Sequence, residues 1–459
     1  MKRRQFIRTA AHSSMVAAAS CFAAPALSAR QVPGANERVN VGLIGCGGRG
    51  LYVARQMRSA PGVEFAAVCD VYEKNRNAAR QWVGSRCQAY KDFRDLLEQK
   101  DIDAVIIATP DHWHAIPCVL ACEAGKDVYV EKPLGHNIKE GQAMVRAARR
   151  HNRIVQTGMQ QRSAEHFEEM RRIVQGGELG KVRYVRIWNF RNIFPQGIGR
   201  RPDSDVPPGL DWDFYLGPAP RVPFNWNRFL FHYRWFWDYS GGVITDFGTH
   251  RFDSMHQVMG ADSPLTVSAA GRRFELDDGG EVPDILQVTY EYPDFLVSYE
   301  ACLLNAHGLG GRTPGREYYR AVGKDDRPNG LAFYGTNGAL FADRLGYEVY
   351  PERKPEQAAE AGKGSGDAPS RFRMARREGS SPDSTARHAK NFIECVRTRK
   401  RPVADVEIGH RSTIVPHLGN IAFKTGRKLK WDGAKEEIIA DPEASKLLGR
   451  QARKPWDLI

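Results

Sequence analysis

The sequence predicts two unlike domains: an α/β domain with a parallel sheet over residues 38–158, then an α+β domain with a mostly antiparallel sheet over 159–459. Three observations predict this. Short apolar runs alternate with amphipathic helical stretches between Arg38 and Gly158, the grammar of strands covered by helices on both faces. A glycine-rich turn occupies the first strand-to-helix junction. Beyond Gly158, apolar strand-like runs follow one another, and no helix separates the last two.

In the first domain, strands are expected at 39–44, 64–69, 104–108, 127–130 and 154–156, with helices at 51–59, 73–83 and 115–124. Asn137 followed by Glu140 reads as a helix N-cap with an acid in the first turn. In the second domain a helix is expected at 163–175, ending at Gly176-Gly177, with strands at 182–188, 265–270, 285–290 and 296–302. Residues 354–387 are rich in Gly, Ser, Pro, Ala and charge and read as a mobile surface insertion. Helical patterns resume at 388–399 and 409–425, within a C-terminal helical stretch over 388–459.

The net charge is +13, of which five charges lie in the first thirty residues, leaving +8 spread among many acids. That is a solvated basic surface without a nucleic-acid-binding motif, so no nucleic-acid partner is expected. Lys2-Arg3-Arg4-Gln5-Phe6-Ile7-Arg8 resembles a twin-arginine export motif, and a weakly apolar, Ala-rich stretch follows. Residues 1–29 therefore read as a signal peptide, the mature chain as periplasmic or otherwise exported, with no membrane span. Seven cysteines remain after the leader, odd in number and irregular in spacing, and read as small buried hydrophobes rather than a disulfide framework.

Gly45-Cys46-Gly47-Gly48-Arg49-Gly50 is G-x-G-x-x-G, directly after a strand, opening a helix, with Asp70 closing the next strand. Each part has a cause. Gly45 permits the tight turn, Gly47 lets backbone approach a pyrophosphate, and Gly50 lets helix and strand pack closely. Amide groups, including those of Cys46, Gly48 and Arg49, and the helix dipole face the phosphates. Asp70 accepts from a ribose 2′-hydroxyl and repels a 2′-phosphate, favouring NAD, although Arg49 and Arg76 leave room for NADP. The first domain is thus read as a Rossmann domain.

Three further motifs are Ala108-Thr109-Pro110-Asp111-His112-Trp113-His114, Glu131-Lys132-Pro133 and Asp246-Phe247-Gly248-Thr249-His250. With the fingerprint, they resemble the Gfo/Idh/MocA family, named for glucose–fructose oxidoreductase, inositol dehydrogenase and a rhizopine-catabolism protein. Stretches 331–344 and 388–402 and the terminal Lys454-Pro455-Trp456 resemble its exported bacterial branch. The resemblance implies an open-faced second sheet, an active site between the domains, and a small sugar or cyclitol substrate. A homo-oligomer through the open sheet face is expected. It also implies Lys132 beside the nicotinamide, Asp246 and His250 as a D-x-x-x-H pair, and His114 lining the pocket, with Thr109, Pro110 and Glu131 along the cofactor.

Such chemistry needs these residue types. Oxidising a secondary alcohol sends hydride to the nicotinamide while a base removes the hydroxyl proton, a task suited to imidazole. His250 is assigned as acid/base, Asp246 as its orienting partner or a substrate ligand, and Lys132 as the charge stabilising a developing alkoxide. Asp253 continues the helical stripe, and Arg162 is a candidate substrate contact or a surface arginine. Five tryptophans, Trp237 among them, crowd residues 188–237 and read as a carbohydrate platform or as a packed interface. No metal is expected, since H-x-H at 112–114 lacks a third ligand. An exported enzyme cannot exchange a cytoplasmic nucleotide pool, so the cofactor is expected to be tightly held and regenerated on the enzyme. A redox-neutral glycosidase using transient oxidation and a non-catalytic sugar-binding protein stand as alternatives.

Overall fold

The computed structural model describes residues 38–308, 326–355 and 369–457. The leader expected at 1–29, and part of the insertion expected at 354–387, lie outside them. The first sheet has six parallel strands in the order β3-β2-β1-β4-β5-β6. These are β1 Val39–Ile44, β2 Val63–Cys69, β3 Gln88–Tyr90, β4 Ala104–Ile107, β5 Asp127–Val130 and β6 Val155–Thr157. The strand order reverses between β1 and β4, and ligands of such sheets bind at the carboxyl ends beside that reversal. The helices are α1 Gly48–Arg58, α2 Glu73–Val83, α3 Phe93–Leu97, α4 Ala115–Glu123 and α5 Ile138–Arg150. β4 and β5 are buried along their whole length, as strands covered on both faces must be. Asn137 caps α5 by accepting from the Glu140 amide at 3.0 Å.

The second sheet has ten strands, β7 Tyr184–Phe190, β8 Thr266–Arg272, β9 Ile285–Glu291, β10 Leu296–Cys302, β11 Asn329–Gly335, β12 Gly338–Ala342, β13 Gly346–Pro351, β14 Arg377–Ser380, β15 Leu429–Asp432 and β16 Glu437–Ile438. Their order is β14-β13-β12-β11-β7-β10-β9-β8-β15-β16, antiparallel except where β7 runs parallel to β10. A short helix, α7 Trp212–Leu216, lies in the connection after β7, while α6 Glu165–Gln175, α8 Thr249–Met259 and the helix Val406–Thr425 pack their apolar sides on one face. Side chains alternate across β7 accordingly. Val185 and Ile187 enter that core, while Tyr184 and Arg186 reach the other face, where Tyr184 stacks on Tyr334 and Arg186 pairs with Glu300 at 2.8 Å.

Several expectations change. The stretch read as a surface insertion contains β14 Arg377–Ser380, which pairs with β13 Gly346–Pro351 and extends the sheet by one edge strand. The stretch read as C-terminal helices includes β15 Leu429–Asp432 and β16 Glu437–Ile438 at the opposite edge. The helix Thr385–Thr398 returns to the first sheet, burying Ala389, Phe392 and Ile393 against β1, β4 and α1. The seven cysteines of the described residues are unpaired, and six are buried. Among the described residues no helix is long and apolar enough to cross a membrane.

Candidate active site

The glycine turn after β1 shows why each glycine is needed. Gly45 has φ +88, and a Cβ there would lie 2.7 Å from the Ala108 carbonyl carbon. A Cβ on Gly50 would lie 2.0 Å from the Gly45 carbonyl oxygen, so only glycine lets α1 start so close to the turn. At Gly47 and Gly48 a Cβ would meet nothing within 4 Å, because they face an open cleft of about 710 Å³. This size suits a cofactor. Cys46 and Gly50 lie behind that wall. The Cys46 thiol is buried against the core, and its amide donates to Asp70 at 2.8 Å. The Tyr72 amide donates to the other Asp70 oxygen at 2.8 Å. Burial pushes the Asp70 carboxyl above its ordinary value, against the pull of these two amides.

Thr109, Pro110, His114 and Glu131 also line the cleft, as does Arg49. Thr109 Oγ1 is buried without a partner, a polar atom awaiting a ligand. His114 ties two loops together, with Nδ1 2.6 Å from the Pro133 carbonyl and Nε2 2.9 Å from that of Thr109. Arg49 Nε pairs with Glu131 at 2.8 Å. Exposed amides at the α1 terminus, unfilled space beside Gly47 and an unpartnered hydroxyl together fit a dinucleotide pyrophosphate.

At the far end of the cleft, the loop after β5 meets the second domain. The Lys132–Pro133 bond is cis. Lys132 Nζ donates to Asp246 Oδ1 at 2.6 Å and to the Asp246 carbonyl at 2.9 Å. Asp246 lies in a π-helical turn, Ile244–Gly248, that precedes α8. His250 lies in the first turn of α8, lines the cleft, and buries Nδ1 without a partner. The structure corrects one role. Asp246 does not orient His250; it holds Lys132 and, at 3.2 Å, the Nε of Arg234. A π turn carries an extra residue, so a four-residue spacing no longer stacks two side chains as an α-helix would.

The charges explain the protonation states. Burial pushes the Asp246 carboxyl up, but Lys132 and Arg234 outweigh it and hold the group well below its ordinary value. Burial first, then Lys132, Arg344 and Arg49, push His250 well below its ordinary value, so the imidazole is neutral at neutral pH.

Three expected substrate contacts lie elsewhere. Arg162 donates to Asp253 at 2.9 Å in a buried ion pair, with Ser412 on the same carboxylate. Asp253 is seven residues beyond Asp246, about 10 Å further along the helix, and so passes out of the cleft. Trp237 packs on Phe423 under the Lys424 ammonium. Most of the aromatic run forms a core of its own, with Trp212, Phe224, Trp235, Phe236 and Tyr239 buried. Its cleft-facing members are Phe229, Leu230, Phe231, Tyr233 and Arg234. Arg234 was missed; its guanidinium lies over the Phe231 and Tyr233 rings. The signal was available, since it is the one arginine between Phe229 and Tyr239.

A nucleotide laid along this cleft from Asp70 would bring its far end to side chains of both domains, which is how two-domain, dinucleotide-binding oxidoreductases are built. The chain belongs to the Gfo/Idh/MocA oxidoreductase family. Residues 39–159 match its NAD-binding Rossmann domain, and residues 164–297 and 371–458 its C-terminal alpha/beta domain. The myo-inositol 2-dehydrogenase of Thermotoga maritima is 25% identical over 87% of this chain and 100% of its own length. The uncharacterised oxidoreductase YrbE of Bacillus subtilis is 27% identical over 49% of this chain, and the match spans 55% of that relative. Among solved structures, the aldose–aldose oxidoreductase of Caulobacter crescentus, complexed with glycerol, superposes with a TM-score of 0.61 at 17% identity. It covers 86% of this chain and 99% of its own.

Proposed function

We propose that the chain is an NAD-dependent oxidoreductase acting on a secondary alcohol of a sugar, cyclitol or glycoside, with a tightly bound nucleotide regenerated on the enzyme. The observation that carries this reading is Lys132, Asp246 and His250 meeting at the end of the cleft that begins at the glycine turn. When bound, the nicotinamide supplies the hydride acceptor. The chain supplies the rest. Neutral His250 takes the hydroxyl proton, which a base with a free ring nitrogen can do at neutral pH. Lys132, fixed by Asp246, places a positive charge where the alkoxide develops. Arg234 fixes Asp246 from the other side.

The two inositol and aldose enzymes named above support a polyhydroxylated substrate, and the Asp70 carboxylate supports NAD over NADP. The twin-arginine-like leader supports an exported enzyme, for which internal regeneration removes the need for a nucleotide pool. The test uses native protein titrated with sugars, cyclitols and glycosides while the reduced-nicotinamide absorbance is followed. The expected result is a substrate-dependent rise that is absent in His250→Ala. A holoenzyme unresponsive to every polyol would refute the reading.

A further inference from the structure

The Rossmann domain does not enclose the nucleotide cleft alone. Residues 207–216, in the long connection between β7 and α8, cross over to the loop that follows Asp70. The Glu73 amide donates to the Gly209 carbonyl at 2.8 Å, and the Asp211 amide donates to the Val71 carbonyl at 3.1 Å. Tyr72 and Leu210 thereby form an isolated antiparallel bridge between the domains. Lys91 Nζ adds an ion pair to Asp211 at 2.9 Å, and the Tyr72 ring meets Phe229 edge-on at 5.5 Å. Gly209 has φ +77, and a Cβ there would lie 2.9 Å from Glu73 Cβ, so the approach depends on glycine.

The same segment is pinned from behind by the C-terminal tail. Arg453 donates to the Gly217 carbonyl at 2.9 Å and to Asp213 Oδ1 and its carbonyl at 2.8 Å each. Trp456 stacks on Phe214 with ring centroids 5.2 Å apart. Phe214 and Tyr215 in turn line the same cleft as Asp70, Val71 and Asn75.

We propose that residues 207–216 are a strap that closes the adenosine end of the cleft and makes the dinucleotide a resident group. This rests on the reading above of a bound, internally recycled nucleotide, and names the element that retains it. The adenosine can leave past Asp70 only when the strap lifts. Lifting breaks two backbone hydrogen bonds and an ion pair together, so exchange is slow compared with turnover.

The test follows exchange of the holoenzyme's nucleotide against isotopically labelled NAD, in the wild type, Gly209→Val and Lys91→Met. Gly209→Val forces a β-branched side chain into a positive-φ position against Glu73 and is expected to release nucleotide about ten- to a hundredfold faster, the loss expected for two hydrogen bonds. Lys91→Met removes the ion pair and the charge that Lys91 presents to the cleft, preserves the backbone contacts, and is expected to speed release a few-fold. Should Gly209→Val fail to fold, Lys91→Met and its reversal by Lys91→Arg carry the test. Wild-type exchange within one turnover, or unchanged rates in the folded variants, would overturn the strap. The two readings fail differently. A protein that purifies empty yet oxidises sugars with added NAD keeps the activity and overturns the strap. A loaded, slowly exchanging protein whose nucleotide no polyol reduces does the reverse.

Discussion

Replacing Lys132 with Met separates what this lysine does for the fold from what it does for chemistry. Methionine keeps the length and removes the charge. Asp246 would lose Lys132 at 2.6 Å but keep Arg234 at 3.2 Å, so its carboxylate is not abandoned. Breaking a buried pair outright costs about 3–5 kcal/mol, and a carboxylate that retains one cation should lose only about 1–2 kcal/mol. The chemical loss is larger. Removing one charged donor from a developing alkoxide costs about 3–4 kcal/mol, a fall in kcat of roughly 10²–10³. A second readout is independent of structure. Lys132 is the largest charge acting on His250 after burial itself, so its removal lets the imidazole pKa rise toward its ordinary value. On the proposed mechanism activity needs neutral His250 and fails as pH drops through that pKa, so the acid limb of the rate profile should move to higher pH. The assay is single-turnover reduction of the bound nicotinamide across pH, with nucleotide content measured after denaturation. A kcat within a few-fold of wild type and an unmoved acid limb would show that Lys132 is not beside the reacting atoms.

Other substitutions test the remaining assignments. Gly47→Ala meets no protein atom, so it should leave thermal stability within about 0.5 kcal/mol while abolishing nucleotide retention. Gly50→Ala, with its Cβ 2.0 Å from a carbonyl oxygen, should destabilise the protein by about 2 kcal/mol or more, visible by chemical denaturation. Arg162→Ala leaves Asp253 buried without its cation and should cost about 3–5 kcal/mol of stability with KM unchanged; a pure KM effect would restore it as a substrate contact. Burial holds His112 and His256 down to about 3 and His388 and His417 to about 4. Below pH 6.5 the unfolded chain therefore binds protons that the folded chain refuses, and stability falls toward pH 4, by up to about 5 kcal/mol per pH unit. Stability that stays flat from pH 7 to 5 would place these rings in solvent.

What the sequence made legible follows from the range of the forces involved. The turn at 45–50 was readable because each glycine answers a local steric demand, and α2 because its apolar positions repeat at helical spacing. β3 and α3 were not foreseen. Three residues, Gln88–Tyr90, give no periodicity, and α3 has five. The site itself was half legible. Lys132, Asp246 and His250 do gather, yet the π turn put Asp246 on Lys132 rather than on His250. Arg162 with Asp253, and Arg234 with Asp246, are pairs 91 and 12 residues apart, made by packing that no local pattern records. The aromatic run, read as a sugar platform or a packed interface, is mostly core, because large rings bury wherever a domain has room for them.

The placement of Lys132 also resolves an apparent cost in the site. A base whose pKa is pushed well down is a weak base, and burial beside a lysine weakens His250 further. In the proposed reaction, however, the same ammonium would lie beside the hydroxyl that must ionise and would lower the proton affinity of that oxygen too. Proton transfer responds to the difference between donor and acceptor, so a cation near both leaves the difference almost unchanged. On that mechanism the charge of the alkoxide would still be stabilised directly. Asp246 and Arg234 make this work by holding the ammonium still, since a cation that must first reorganise gives back much of its stabilisation. The three charges come from the loop after β5, the π turn and the aromatic connection, and so from both domains. The electrostatic setting of the proposed reaction therefore exists only once the domains are packed, and Arg234→Ala, which frees Asp246 on one side while leaving residues 207–216 in place, should lower kcat before it lowers nucleotide content.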